Sequence, residues 1–157
     1  SDFSDLLANR SQSSGDFGAW GGALTFDRDA NWNYTASEPS SGESDFLSVA
    51  LHELGHALGF GTSPEFTALR AGSYFTGSAS AAAYGSLPPL DVTGGHWQED
   101  LMSTVYGTTT PQEVSMDPRI TVGDRKLITE LDAAALEDIG WEVIDLPPVE
   151  LPGDYND

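Results

Sequence analysis

Histidine is scarce in this chain, with three among 157 residues. Two of them, His52 and His56, stand four residues apart, and Glu53 directly follows the first. On an α-helix, positions i and i+4 share a face one turn apart, so both imidazoles can reach one ion. Glu53 projects beside the pair without being needed as a ligand. From there it can take a proton from water. A purely structural zinc site has no use for such a carboxylate. A catalytic zinc takes three protein ligands and keeps one position open. His96, in Gly94-Gly95-His96-Trp97, is the remaining histidine and would complete a tris-imidazole set. Glu130, Glu137 and Asp138 are the carboxylate alternatives for that third place.

The spacing of apolar residues must supply the elements that hold these groups. Phe46, Val49, Leu51, Leu54 and Leu58 keep a helical period from Asp45 onward, with Ser44 as N-cap. Gly59 and Gly61 end that helix. Residues 62–95 are rich in Gly, Ser, Ala and Pro, with a short helix near Ala79–Tyr84. A connection of that length inside one domain tends to be functional. A second helix starts at Thr129, where Thr129 and Asp132 form a capping-box pair and Gly140 sits at C′. Upstream, Trp20–Phe26 (WGGALTF) reads as a strand whose Gly21 and Gly22 suggest an edge or a close backbone approach. Residues 1–16 read as loop or short helix, residues 35–44 as loop, and the Pro-rich acidic stretch 147–157 as a tail. The fold class expected is α+β, with one domain over residues 1–146.

Composition narrows the partners. Hydrophobic residues make up 39% and aromatics 10%, enough for a folded core. Six basic residues face 25 acidic ones, for a net charge of −19, and Lys126 is the only lysine. Such a chain repels phosphate backbones and anionic lipid, so nucleic acid and membrane surfaces are poor partners. It suits cations, calcium above all, and an extracellular or periplasmic setting. There is no cysteine, which excludes disulfides, Cys-ligated zinc and thiol catalysis. No apolar run reaches membrane-spanning length. Nothing in the sequence sets the oligomeric state.

His52–Phe60 (HELGHALGF) resembles the HExxHxxG signature of the metzincin clan of zinc peptidases. In most metzincins the third ligand follows three residues after that glycine, where this chain has Thr62. The pattern is similar instead to the leishmanolysin-type branch and its bacterial relatives, in which an insertion separates the glycine from the third histidine. GGHW at 94–97, a Met-Xaa-Pro, and TELDAAALEDIGWEV at 129–143 extend the resemblance, which covers roughly residues 18–143. It implies a methionine turn beneath the metal. Met116, in Ser115-Met116-Asp117-Pro118, is the preferred residue and Met102 the alternative. It further implies that Pro118, Arg119 and Ile120 wall a specificity pocket. Gly21, Gly22, Ala23 and Leu24 would align an extended substrate.

Phe26–Trp32 (FDRDANW) resembles a stretch of matrix metalloproteinases that lies after the substrate-pairing edge strand. Thr25 replaces a structural-zinc histidine there, and Ala30 replaces a calcium-binding glutamate. Asp27, Asp29 and Asn31 remain candidate calcium ligands. Gly153–Asp157 resembles the opening of a dockerin-type calcium repeat. Only 44 residues precede the histidine helix, fewer than metzincin domains use, so the chain is expected to be a fragment or a minimal member.

These readings imply a secreted zinc-dependent endopeptidase acting on protein or peptide substrates, with Glu53 as general base. The alternatives are a zinc peptidase with a carboxylate third ligand, and a non-catalytic zinc-containing binding module.

Overall fold

The structure, a computed structural model, describes residues 22–119 and 122–144. The readings for residues 1–16, Trp20, Gly21, Ile120 and the tail 147–157 lie outside the described residues. In chain order the elements are β1 (Trp32–Asn33), β2 (Ser44–Asp45), α1 (Phe46–Ala57), α2 (Pro64–Ala68), β3 (Arg70–Ala71) and β4 (Tyr74–Phe75). They continue with α3 (Ser78–Tyr84), β5 (Met102–Thr104), β6 (Pro111–Glu113) and α4 (Glu130–Asp138). The mixture of helix and strand agrees with the α+β expectation. The sheet does not follow it in detail. Among the described residues the strands form three separate two-stranded ladders: β1 with β2 parallel, β3 with β4 antiparallel and β5 with β6 antiparallel.

The expected strand Trp20–Phe26 is corrected over its described part. Residues 22–26 are irregular and have no ladder partner among the described residues. They run beside α1 instead. A Cβ on Gly22 would stand 3.0 Å from the Cβ of Ala57, so glycine permits the approach.

Helix α1 is capped one residue later than expected. Asp45, not Ser44, is the N-cap, and its carboxylate accepts from Ser48 N–H at 3.1 Å and Ser48 Oγ–H at 2.6 Å. The same carboxylate pairs with Arg125 at 2.7 Å, and that contact from 80 residues away favours Asp45. The buried stripe of α1 is Ser48, Val49, His52 and Gly55. Leu54, expected on the apolar face, is 46% exposed. The helix thus turns its histidine side, not its leucine side, towards the core.

Helix α1 ends in a Schellman turn. Gly59 takes φ 111°, its N–H donates to His56 O, and Phe60 N–H donates back to Gly55 O at 3.0 Å. That turn drives Phe60 into the core. Phe60, Phe66, Phe75 and Trp97 are all fully buried, with successive ring centroids 4.6–5.7 Å apart. Phe66 and Phe75 come from the glycine-rich stretch 62–95. That stretch therefore builds core, and it carries α2, β3, β4 and α3.

Helix α4 has the expected capping box, with Thr129 and Asp132 bonding each other's backbone N–H. Gly140 at φ 107° closes its C-terminus, and Trp141 Nε1–H ties that end to Leu58 O of α1 at 2.7 Å. Asp138 near the end of α4 accepts from Ala79 N–H and Ser80 N–H, each at 2.8 Å, and so caps α3. A separate aromatic group gathers Phe26, Trp32 and Tyr34 on Phe46 at the start of α1, with centroids 4.8–5.7 Å from the Phe46 ring.

Candidate metal centre

Three imidazoles from two distant segments meet at one point. His52 and His56 come from the buried side of α1, and His96 from the loop before Trp97. His56 Nε2 lies 3.2 Å from His52 Nε2 and 3.0 Å from His96 Nε2. All three ligand nitrogens lie within 4.8 Å of one another. Among the described residues this is the one group of His, Cys or acidic side chains so placed.

Backbone carbonyls fix the tautomers of the first two. His52 Nδ1 faces Ser115 O at 2.8 Å, and His56 Nδ1 faces Phe60 O at 2.9 Å. A carbonyl only accepts, so each Nδ1 carries the proton and each Nε2 presents a lone pair inward. Two lone pairs 3.2 Å apart repel unless a cation or proton lies between them. Tetrahedral zinc with bonds of about 2.0 Å would hold two nitrogens about 3.3 Å apart. The donor set therefore fits zinc. Burial, the largest influence on both, lowers the pKa of His52 and of His96 and favours the neutral form a metal needs.

The carbonyl partners have structural origins of their own. Phe60 O is delivered by the Schellman turn. Ser115 O belongs to the turn around Met116, whose backbone is pinned by the buried carboxylate of Asp132. Asp132 accepts from Ser115 N–H at 2.9 Å, Met116 N–H at 3.2 Å and Trp97 Nε1–H at 3.0 Å, in addition to its capping box. Burial pushes the Asp132 carboxyl pKa up, while these donors pull against that rise. Trp97 N–H donates in turn to Met116 O at 3.1 Å. Composition showed Asp132 as a cap, but its links to the Met116 turn and to the neighbour of His96 lie in long-range contacts.

Met116 is 1% exposed, and its thioether lies against Gly55, between the two helical histidines in sequence. A Cβ on Gly55 would stand 2.4 Å from Met116 Sδ, so glycine makes room for it. Met102, the alternative, is 54% exposed on β5. The carboxylate alternatives lie away from the imidazoles. Asp138 caps α3, Glu130 accepts from Gly107 N–H at 2.8 Å, and Glu137 is exposed.

Glu53 faces a cleft of about 460 Å³ beside His56. Gly22, Ala23 and Leu24 form one side of it, and Thr62 and Pro64 another. Pro118 and Arg119 do not line this cleft. Both are exposed, and Arg119 pairs with Glu99 at 2.8 Å.

The candidate calcium residues are engaged locally. Asp27 Oδ1 accepts from Asp29 N–H at 2.9 Å, Asp29 pairs with Arg28 at 3.4 Å, and Asn31 Nδ2–H donates to Gly42 O at 3.1 Å. That is an Asx turn with an exposed ion pair.

Sequence reasoning passed over Asp91. Its Oδ1 accepts from Gly95 N–H at 3.1 Å and His96 N–H at 3.2 Å, and Thr93 Oγ1–H donates to Oδ2 at 2.8 Å. Burial opposes ionisation, but these donors hold its carboxyl below the usual range. The signal that could have found it is the Asp-Xaa-Thr-Gly turn signature just before His96.

Among the described residues no helix is long and apolar enough to cross a membrane. Comparison with known proteins follows the same lines. Matrix metalloproteinase-2 of Drosophila melanogaster is 51% identical over 39 residues, which are 25% of this chain and 5% of that protein. No solved structure matches significantly. The sequence profile of the Matrixin family matches residues 4–94, more than half of the chain. That match lies within the metzincin clan but gives no support to the leishmanolysin-type branch that the spacing of His96 suggested. Matrixins are zinc-dependent endopeptidases, and by this match the chain belongs to the matrixin family.

Proposed function

We propose that residues 1–146 form the catalytic domain of a secreted zinc endopeptidase whose metal is held by His52, His56 and His96. The observation that carries the reading is the convergence of three imidazoles, two with their lone pairs fixed inward, beside a free-standing glutamate in an open cleft. Family membership favours the same chemistry and an extracellular setting.

Zinc, when bound, supplies Lewis acidity, which acidifies water and polarises a carbonyl. Glu53 accepts a proton from the attacking water and delivers it to the leaving amine. Burial favours the neutral form of His52, and the carbonyl acceptors at Nδ1 of His52 and His56 leave each Nε2 facing inward. Met116 gives an apolar floor under the two helical imidazoles. Gly22, Ala23 and Leu24, on one side of the cleft, align an extended peptide there. Side-chain selection falls to the residues that line the Glu53 cleft, which Pro118 and Arg119 do not. Calcium at Asp27, Asp29 and Asn31 is not part of this proposal.

Elemental analysis and a peptide-cleavage assay test the reading together. The native chain is expected to hold about one zinc, and His96→Ala to lose it. Glu53→Ala is expected to keep zinc and lose at least about a hundredfold in kcat. A Glu53→Ala protein with near-native turnover would refute the assignment of the base. Undiminished zinc in His96→Ala would refute the tris-imidazole site.

A further inference from the structure

The three imidazoles are not held alike. His52 and His56 each give their outer nitrogen to a backbone carbonyl. His96 does not. Its Nδ1 is buried and has no hydrogen-bond partner. The acidic oxygen facing it is Asp91 Oδ2, 4.0 Å away, and both side chains are largely buried.

We propose that Asp91 is the positioning residue for His96, folding the loop that presents the imidazole and accepting the proton of its Nδ1. This rests on the zinc reading above. The loop is closed on itself. Asp91 N–H donates to His96 O at 3.0 Å, and Gly94 N–H donates to Asp91 O at 3.1 Å. The Asp91 carboxylate fills the ring by accepting from the N–H groups of Gly95 and His96. One side chain therefore sets both the backbone that carries His96 and the polar surroundings of its ring. Asp91 Oδ2 takes one donor, Thr93 Oγ1–H, and keeps a lone pair for another. A small rotation of the His96 ring brings Nδ1 within hydrogen-bond reach of it. That contact fixes the ring with Nδ1 protonated and Nε2 inward, matching the two helical histidines. It also gives the imidazole a carboxylate partner, which strengthens it as a ligand.

Asparagine separates the two roles. Asp91→Asn keeps an oxygen for the N–H groups of Gly95 and His96, but it turns an amide towards Nδ1. Asp91→Ala removes both functions. Zinc affinity is measured on the full chain by competition with a chromogenic chelator. The visible spectrum of the cobalt-loaded protein and the melting temperature of the metal-free protein are recorded alongside. Asp91→Asn is expected to bind zinc 10–100-fold more weakly, with a shifted cobalt spectrum and a near-native melting temperature. Asp91→Ala is expected to lose affinity and melting temperature together. An Asp91→Asn protein with native zinc affinity and an unchanged cobalt spectrum would overturn the contact to His96, even if Asp91→Ala were unstable. A native chain that binds no zinc would overturn the metal reading itself, an outcome visible before any variant is compared.

Discussion

The substitution Gly61→Ala probes how His96 is brought to the helix. Gly61 follows the Schellman turn of α1 at φ 71°, a region that costs a residue with a Cβ about 1–2 kcal/mol. A Cβ there would also stand 2.2 Å from Gly95 O, 2.9 Å from Gly95 C and 3.0 Å from Gly95 Cα. These are backbone atoms and cannot swing aside as a side-chain tip could. Relief to ordinary contact requires the 91–96 loop to move by roughly 1 Å, and overpacking of this kind costs about 1–3 kcal/mol. The sum, roughly 2–5 kcal/mol, corresponds to a drop in melting temperature of about 4–20 °C for a chain of this size. The moving atoms adjoin His96, so the damage is not only to stability. A displacement near 1 Å at a ligand misaligns the third nitrogen against two that stay fixed on α1. Differential scanning calorimetry of metal-free protein reads the first effect, and chelator competition reads the second. Gly72→Ala is the control. Gly72 also has positive φ, at 61°, but nothing lies within 4 Å of its added Cβ. It should lose stability modestly and leave zinc affinity unchanged. If Gly61→Ala behaves no differently from Gly72→Ala, the close approach of these two turns does not position His96.

Other substitutions separate neighbouring parts of the site. Met116→Ala should cost about 2–5 kcal/mol because the side chain is fully buried, whereas Met102→Ala on exposed β5 should stay within about 0.5 kcal/mol; urea unfolding distinguishes them. Arg125→Ala leaves the buried carboxylate of Asp45 without its cation and should cost about 3–5 kcal/mol by the same assay. Asp45 has its pKa lowered, chiefly by the Arg125 hydrogen bond, so its stabilising share is complete above about pH 3.9 and fades as pH falls through the folded value. Acid unfolding followed by circular dichroism should therefore begin at higher pH in Arg125→Ala than in the native chain.

Much of the site was legible because its chemistry is local. His52, Glu53 and His56 need only the helical period, and the capping box of Thr129 and Asp132 spans four residues. Where sequence reasoning missed, the deciding partner was far away. Ser44 and Asp45 are both good N-caps, and Arg125, 80 residues on, favours the second. The run WGGALTF has strand composition, but its described part meets the flank of a helix. Leu54 keeps the apolar period of α1, but the core gathers on the side of His52. The aromatic contributions of Phe66 and Phe75 were hidden in a stretch whose composition reads as loop. The spacing of His96 suggested the leishmanolysin-type branch, which the matrixin match does not support; an insertion shows that two segments are separated and not what lies between them.

The separation of His56 from His96 by 40 residues has a consequence for the whole chain. This sequence has no cysteine, so no covalent link shortens its unfolded state. An ion shared by α1 and the 91–96 loop, as proposed, would act as a removable cross-link around that span. By the chain-entropy argument used for disulfides, closing a loop of this length is worth about 4 kcal/mol. The stretch inside the loop includes α2, β3, β4 and α3, so the elements that bring His96 into place are the ones the cross-link secures. Metal removal would then loosen a contiguous quarter of the molecule. Amide hydrogen exchange would show that loosening as lost protection across residues 57–95, with the β5–β6 ladder keeping its own.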